Sequence, residues 1–169
     1  MNACVFLDRD GVINEDNPNY TYRVSEFKIM DGVISSLQQL KLRGFLLVVV
    51  TNQSGIAQGI YTREQMEECH RFFQEQSGHL IDHFYFSPDH PSVSASLSRK
   101  PNSLMFEKAI AKFKIDVTQS WMIGDKGRDI VPARKLGIKT IQIGNEIDKN
   151  EMADYAVGNL AQATKIILG

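Results

Sequence analysis

Asp8 and Asp10 lie two residues apart, directly after the apolar run 3–7, on a turn that Gly11 loosens. Asp125 stands in the same relation to the apolar run 121–124, with Lys126 next to it and Asp129 four residues on. Residues 48–50 run into Thr51-Asn52-Gln53-Ser54-Gly55, which offers hydroxyl, amide and backbone donors of the kind that cradle a phosphate. Arg99-Lys100-Pro101 places two cations before a helical stretch that proline helps to start. Each segment alone has an ordinary reading: a surface turn, a loop whose Asn and Ser satisfy local backbone, a solvated basic pair, and an Asp129 that caps its helix or pairs with Lys126. Together they are an acid pair, a hydroxyl, a lysine and a further acid, arriving in chain order after successive apolar runs.

That set suits phosphoryl transfer. Hydrolysis of a phosphate monoester needs an in-line nucleophile, a proton for the leaving oxygen and positive charge around oxygens that are already anionic. A carboxylate nucleophile is repelled by a phosphate dianion, which calls for Mg²⁺, a cation that takes a few carboxylate oxygens beside phosphate and water. Asp8 is the candidate nucleophile, and Asp8, Asp125 and the Asp10 carbonyl are the candidate metal ligands. Asp10 is left to protonate the leaving oxygen and then to deprotonate water. Thr51 and Lys100 are candidates to hold the transferring group.

Something must bring these positions to one place. Short runs rich in Val, Ile, Phe or Tyr at 3–7, 45–50, 83–86, 121–124 and 138–143 read as buried strands. Segments 33–42, 63–77, 103–113, 130–136 and 160–168 carry helical periodicity, with Thr62 as a cap and Gly44 and Gly137 as stops. The alternation predicts one α/β domain over 1–169, a Rossmann-like three-layer fold with a mostly parallel sheet. Ligands bind such sheets at the carboxyl ends of the strands, where all four segments fall. The forty or so residues between Asp10 and Thr51 leave no room for a separate cap domain.

Composition narrows the partners. The 19 basic residues against 20 acidic ones give no excess to recruit nucleic acid or an anionic membrane. No run of eighteen apolar residues occurs, and Cys4 and Cys69 have neither disulfide nor zinc spacing, so a reducing cytoplasm is expected and the partner is a phosphorylated small molecule.

Asp8-Arg9-Asp10-Gly11-Val12, Thr51, Lys100 and Gly124-Asp125-Lys126 through Asp129 resemble the four motifs of the haloacid dehalogenase superfamily. More narrowly, residues 6–14, 31–33, 48–59, 99–101 and 122–126 are similar to the D,D-heptose 1,7-bisphosphate phosphatases and their relatives the histidinol phosphatases. The resemblance implies a phosphorylated Asp8, Asp10 as acid and base, Mg²⁺ on Asp8, Asp10 and Asp125, and Thr51 and Lys100 on the phosphoryl group. It also implies substrate contacts from Asp16, Asn17 and Tyr20, from Asn52, Gln53 and Ser54, and from Arg99 and Lys126. The expected activity is removal of the 7-phosphate from a heptose 1,7-bisphosphate; histidinol-phosphate hydrolysis, phosphotransfer to another acceptor and a non-catalytic phospho-ligand module are the alternatives.

One departure is large. Those subfamilies carry a zinc loop of the form Cys-Pro-His-His-Pro followed by Cys-x-Cys-Arg-Lys-Pro. Here the segments read Ser87-Pro88-Asp89-His90-Pro91 and Ser96-Leu97-Ser98-Arg99-Lys100-Pro101. Hydroxyls and one carboxylate are poor substitutes for thiolates, so no zinc is expected and His90 reads as a loop histidine.

Overall fold

Apolar runs bounded by turns become strands, and in this computed structural model, which describes residues 1–144 and 152–169, six of them share one sheet. They are β1 (Cys4–Leu7), β2 (Leu46–Asn52), β3 (His83–Ser87), β4 (Trp121–Gly124), β5 (Lys139–Ile143) and β6 (Tyr155–Val157). Every pairing is parallel, in the order β3-β2-β1-β4-β5-β6. The sequence did not signal β6, because three residues, two of them exposed, are too few to show a strand period.

Alternation along the strands divides the core. Val5, Leu7, Leu47 and Val49 pack with Val33, Leu37 and Leu40 of α1 (Val33–Leu42), Cys69 and Phe73 of α2 (Arg63–Ser77), and Leu160 and Ala163 of α5 (Leu160–Leu168). Cys4, Phe6, Val48 and Val50 pack with Met105, Phe106 and Ala109 of α3 (Leu104–Phe113) and Ala133 of α4 (Gly127–Lys135). The result is the three-layer arrangement that the strand–helix alternation implies.

Local chemistry sets the helix ends. Thr62 accepts a hydrogen bond from the Gln65 amide while Gln65 accepts one from the Thr62 amide, a capping box that starts α2. Helix α4 starts three residues earlier than its apolar period indicates, because Asp129 accepts the Lys126 N–H at 3.2 Å and so satisfies the first turn. Only a 3-10 turn (Val24–Glu26) and α1 separate β1 from β2, and only α2 separates β2 from β3, so no folded insertion covers these strand ends. No described helix is long and apolar enough to cross a membrane.

His70 lies inside α2, its ring stacked on Phe84 at 4.4 Å, with a buried Nε2 that has no hydrogen-bond partner. Burial, then the Arg9 charge, pulls its pKa down to about 3. The unfolded chain binds this proton near pH 6.5 and the native one does not, so stability falls as pH drops from about 6.5 toward 3, by about 1.4 kcal/mol per pH unit. Urea unfolding of His70→Gln across that range should show a slope shallower by that amount; an unchanged slope would mean that His70 accepts the proton in the native state.

Candidate active site

The strand order makes the site. The chain runs outward from β1 through β2 to β3, then returns to the other side of β1 as β4, so a crevice opens where β1 and β4 diverge at their carboxyl ends. Asp8 follows β1, Thr51 and Asn52 close β2, Asp125 follows β4, and Lys100 arrives from the loop before α3.

Lys100 is the electrostatic centre. Its fully buried ammonium lies 3.0 Å from Asp8 Oδ1 and 2.6 Å from Asp129 Oδ1, and donates to the Val50 carbonyl at 2.7 Å. Burial works against the charge, yet Asp129 and Asp8 outweigh it and raise the Lys100 pKa. Asp8 is itself pushed up, by burial first and then by the Asp129 charge, with Lys100 opposing. Asp129 therefore does cap its helix, but its ion-pair partner is Lys100, from the loop before α3, and not Lys126.

Carboxylates crowd this point. Asp8, Asp125 and Asp129 each place an oxygen within 4.8 Å of the others. Glycines make the approach possible: a Cβ on Gly11, which has φ +82°, would overlap the Asp125 carboxylate, and one on Gly124 would overlap the Asp129 side chain. Asp8 Oδ1 also accepts the Arg9 N–H at 2.8 Å, and Asp129 is committed to Lys100 and the α4 terminus. Asp125 Oδ1 is buried with no hydrogen-bond partner, a vacant acceptor beside Asp8 that suits a divalent cation.

Asp10 sits in a cradle of donors. Its Oδ1 accepts from Arg9 Nη2 at 2.8 Å and Asn14 Nδ2 at 2.9 Å, and its Oδ2 from Gln53 Nε2 at 3.0 Å. Burial would raise its pKa, but the Arg9 charge and these hydrogen bonds prevail and hold it below the usual carboxylate range. Gln53 also donates to Thr51 Oγ1 at 2.9 Å and accepts from Tyr61 Oη at 2.7 Å. This buried amide faces inward, tying Asp10 to Thr51. Arg9, 1% exposed, is fixed further by the Thr21 carbonyl at 2.7 Å and lies over the Phe27 ring.

The rim holds the remaining expected residues. Lys126 Nζ bridges Asp16 at 2.7 Å and Asp125 at 3.0 Å. Asn52 clamps the Lys100 backbone, donating to its carbonyl at 3.1 Å and accepting its N–H at 3.0 Å. Tyr20 Oη accepts from Gln58, which also donates to the Ser54 carbonyl. Asn17 accepts the Asn19 N–H within its own turn, and Arg99 Nη1 donates to the Asp89 carbonyl at 3.0 Å. The motif reading gave no role to Arg9, Asn14, Tyr61 or Arg128. Arg9, Asn14 and Arg128 at least fell inside stretches that carry the resemblance; Tyr61 had no signal.

In the two segments that stand in place of the Cys/His motif, the side chains of Ser87, Asp89, Ser96 and Ser98 bond to one another. Ser98 Oγ lies within hydrogen-bond distance of Ser96 Oγ at 2.8 Å, Ser87 Oγ at 3.0 Å and Asp89 Oδ2 at 3.3 Å. The His90 ring bonds Ser92 within the loop. This donor set does not fit zinc.

Sheet order and site together define a Rossmann-like α/β enzyme of the haloacid dehalogenase type, and residues 97–164 match a family model described as HAD-hydrolase-like. The chain belongs to the haloacid dehalogenase-like hydrolases, in the group that contains the heptose bisphosphate phosphatases. It is 39% identical to the D-glycero-β-D-manno-heptose-1,7-bisphosphate 7-phosphatase of Haemophilus ducreyi, over 92% of this chain and 93% of the relative. It is 35% identical to the protein of that name from Escherichia coli K12, over 96% and 92%. Among solved structures, the D,D-heptose 1,7-bisphosphate phosphatase of B. bronchiseptica, complexed with magnesium and phosphate, superposes with a TM-score of 0.89 at 21% identity, over 99% of this chain and 98% of that one.

Proposed function

We propose that the protein is a magnesium-dependent phosphatase that removes the 7-phosphate of D-glycero-D-manno-heptose 1,7-bisphosphate through a phosphorylated Asp8. The observation that carries the mechanism is the pairing of buried Asp8 with Lys100 at the sheet's switch point, beside an Asp10 held by three donors. Near-full-length relatives that bear the name of that activity support the substrate.

Asp8 attacks phosphorus, the ester P–O bond breaks, and Asp10 gives its proton to the leaving oxygen. Asp10 then takes a proton from the water that attacks the aspartyl phosphate, which frees phosphate and restores Asp8. Arg9, Asn14 and Gln53 favour the ionised Asp10 required in this second step. An incoming phosphate dianion opposes them and favours the protonated Asp10 required in the first. Lys100 neutralises the equatorial oxygens as a point charge, and Thr51, oriented by Gln53, adds its hydroxyl. Asp8, Asp125 and the Asp10 carbonyl would hold Mg²⁺, which would supply the charge that lets a carboxylate approach an anionic phosphoryl group. Lys126, Asp16, Asn17, Tyr20, Asn52, Ser54 and Arg99 form the rim that receives the sugar.

Histidinol phosphate is disfavoured, because Asp16, an acid available for a cationic imidazole, is already neutralised by Lys126 at 2.7 Å. A binding-only module would not need the complete set of Asp8, Asp10, Thr51, Lys100 and Asp125. Two buried free thiols suit the cytoplasm.

Phosphate release from heptose 1,7-bisphosphate and histidinol phosphate, compared side by side with Mg²⁺, tests the substrate. A strong preference for the bisphosphate supports the proposal, and a preference for histidinol phosphate sinks it. The serine-lined loop carries a separate expectation: the purified protein holds no stoichiometric zinc, and a zinc chelator leaves its melting temperature unchanged. One zinc per chain by elemental analysis would contradict that.

A further inference from the structure

Among the described residues, the other cations around Asp8 have carboxylate partners. Arg9 has Asp10, Lys100 has Asp8 and Asp129, and Lys126 has Asp16 and Asp125. Arg99 and Arg128 form no ion pair with a described residue: Arg99 donates to the Asp89 carbonyl and feels the Asp89 carboxylate only from beyond ion-pair distance, and the buried Arg128 Nε has no hydrogen-bond partner.

The fold brings these two together. Arg99 precedes Lys100, Arg128 precedes Asp129, and the Lys100–Asp129 pair at 2.6 Å clamps the two segments. The guanidiniums feel each other: after burial, the Arg128 charge is the next cause lowering the Arg99 pKa. Arg128 is also the second residue of α4, where the helix dipole already disfavours a cation. Two like charges at such a place are destabilising alone and are relieved by a shared anion. Paired guanidinium forks match the oxygens of a phosphate.

We propose that Arg99 and Arg128 together bind the phosphate that is not cleaved, which makes Arg128 a specificity-determining residue for bisphosphate substrates. This rests on the reading of the site as a sugar-bisphosphate phosphatase. A monoester with one phosphate fills the Asp8–Lys100 centre and leaves the arginine pair empty.

The experiment measures KM and kcat of wild type, Arg128→Met and Arg128→Lys on heptose 1,7-bisphosphate and on p-nitrophenyl phosphate. Loss of one charge-assisted contact should raise the bisphosphate KM of Arg128→Met by about 10- to 100-fold with kcat within about threefold. Its monoester KM should stay within about twofold, and Arg128→Lys should fall between. An equal rise on both substrates would reduce Arg128 to a structural role, and no rise on either would remove it from the site; both outcomes overturn the proposal. A wild type that does not prefer the bisphosphate to the monoester would overturn the functional reading first, and that result appears before any variant is compared.

Discussion

Asp8→Asn is expected to lower phosphate release by at least about 10⁴-fold while the protein stays as stable as wild type. The rate follows from the chemistry, since an amide cannot form the acyl phosphate and loss of a nucleophile is among the most damaging single changes an enzyme can suffer. Stability follows from the electrostatics. Asp8 is a buried acid near Asp129, Asp125 and Asp10, and burial and these charges all resist its ionisation. The amide removes that repulsion and keeps the shape. Lys100 retains Asp129 at 2.6 Å and the Val50 carbonyl at 2.7 Å. Initial rates and a thermal melt on one preparation check both halves; activity within tenfold of wild type, or a collapsed melt, would contradict the assignment of Asp8.

Lys100→Met should do the opposite to stability. It removes the cation from a fully buried cluster and leaves Asp8 and Asp129 as uncompensated acids, a change that costs about 3–5 kcal/mol. In a chain of this size that corresponds to a fall in melting temperature on the order of 10 °C. Activity should be lost as well, because the charge opposing the phosphoryl oxygens is gone. The double variant Lys100→Met/Asp129→Asn should recover part of the melting temperature and none of the activity, which separates the two roles of the lysine. A single variant that melts like wild type would show that the acids are neutralised by some other means.

These contrasting outcomes turn on contacts that the sequence reveals only in part. The convergence of Asp8, Asp10, Thr51, Lys100 and Asp125 was legible because the carboxyl ends of parallel strands share one edge. The limits of α1, α2 and α5 were legible because apolar period and local punctuation agree, as with Thr62 and Gln65. Asp129 was not: the local reading pairs it with Lys126, whereas folding brings it to Lys100, 29 residues earlier in the chain, and gives Lys126 to Asp16. Gln53 reads as a substrate contact from its loop, yet its amide bridges Asp10, Thr51 and Tyr61, because the chain turns inward after β2. Arginine is a residue type rarely buried unless paired, and Arg9 is buried because Asp10, the Thr21 carbonyl and the Phe27 ring receive it. Strand β6 escaped notice for a different reason. Its three residues are held by pairing with β5 and by Asp154, which accepts from the Thr140 amide and hydroxyl at 2.7 and 2.8 Å, and not by an apolar period of their own.

The most direct test of the mechanism is to trap the covalent intermediate. Wild-type protein mixed with Mg²⁺ and heptose 1,7-bisphosphate, quenched in acid within the first turnover and analysed by peptide mass spectrometry, should carry one phosphoryl group on Asp8, labile to hydroxylamine and absent from Asp8→Asn. Rapid turnover with no phosphorylated Asp8 at any quench time, or phosphorylation at another residue, would contradict it.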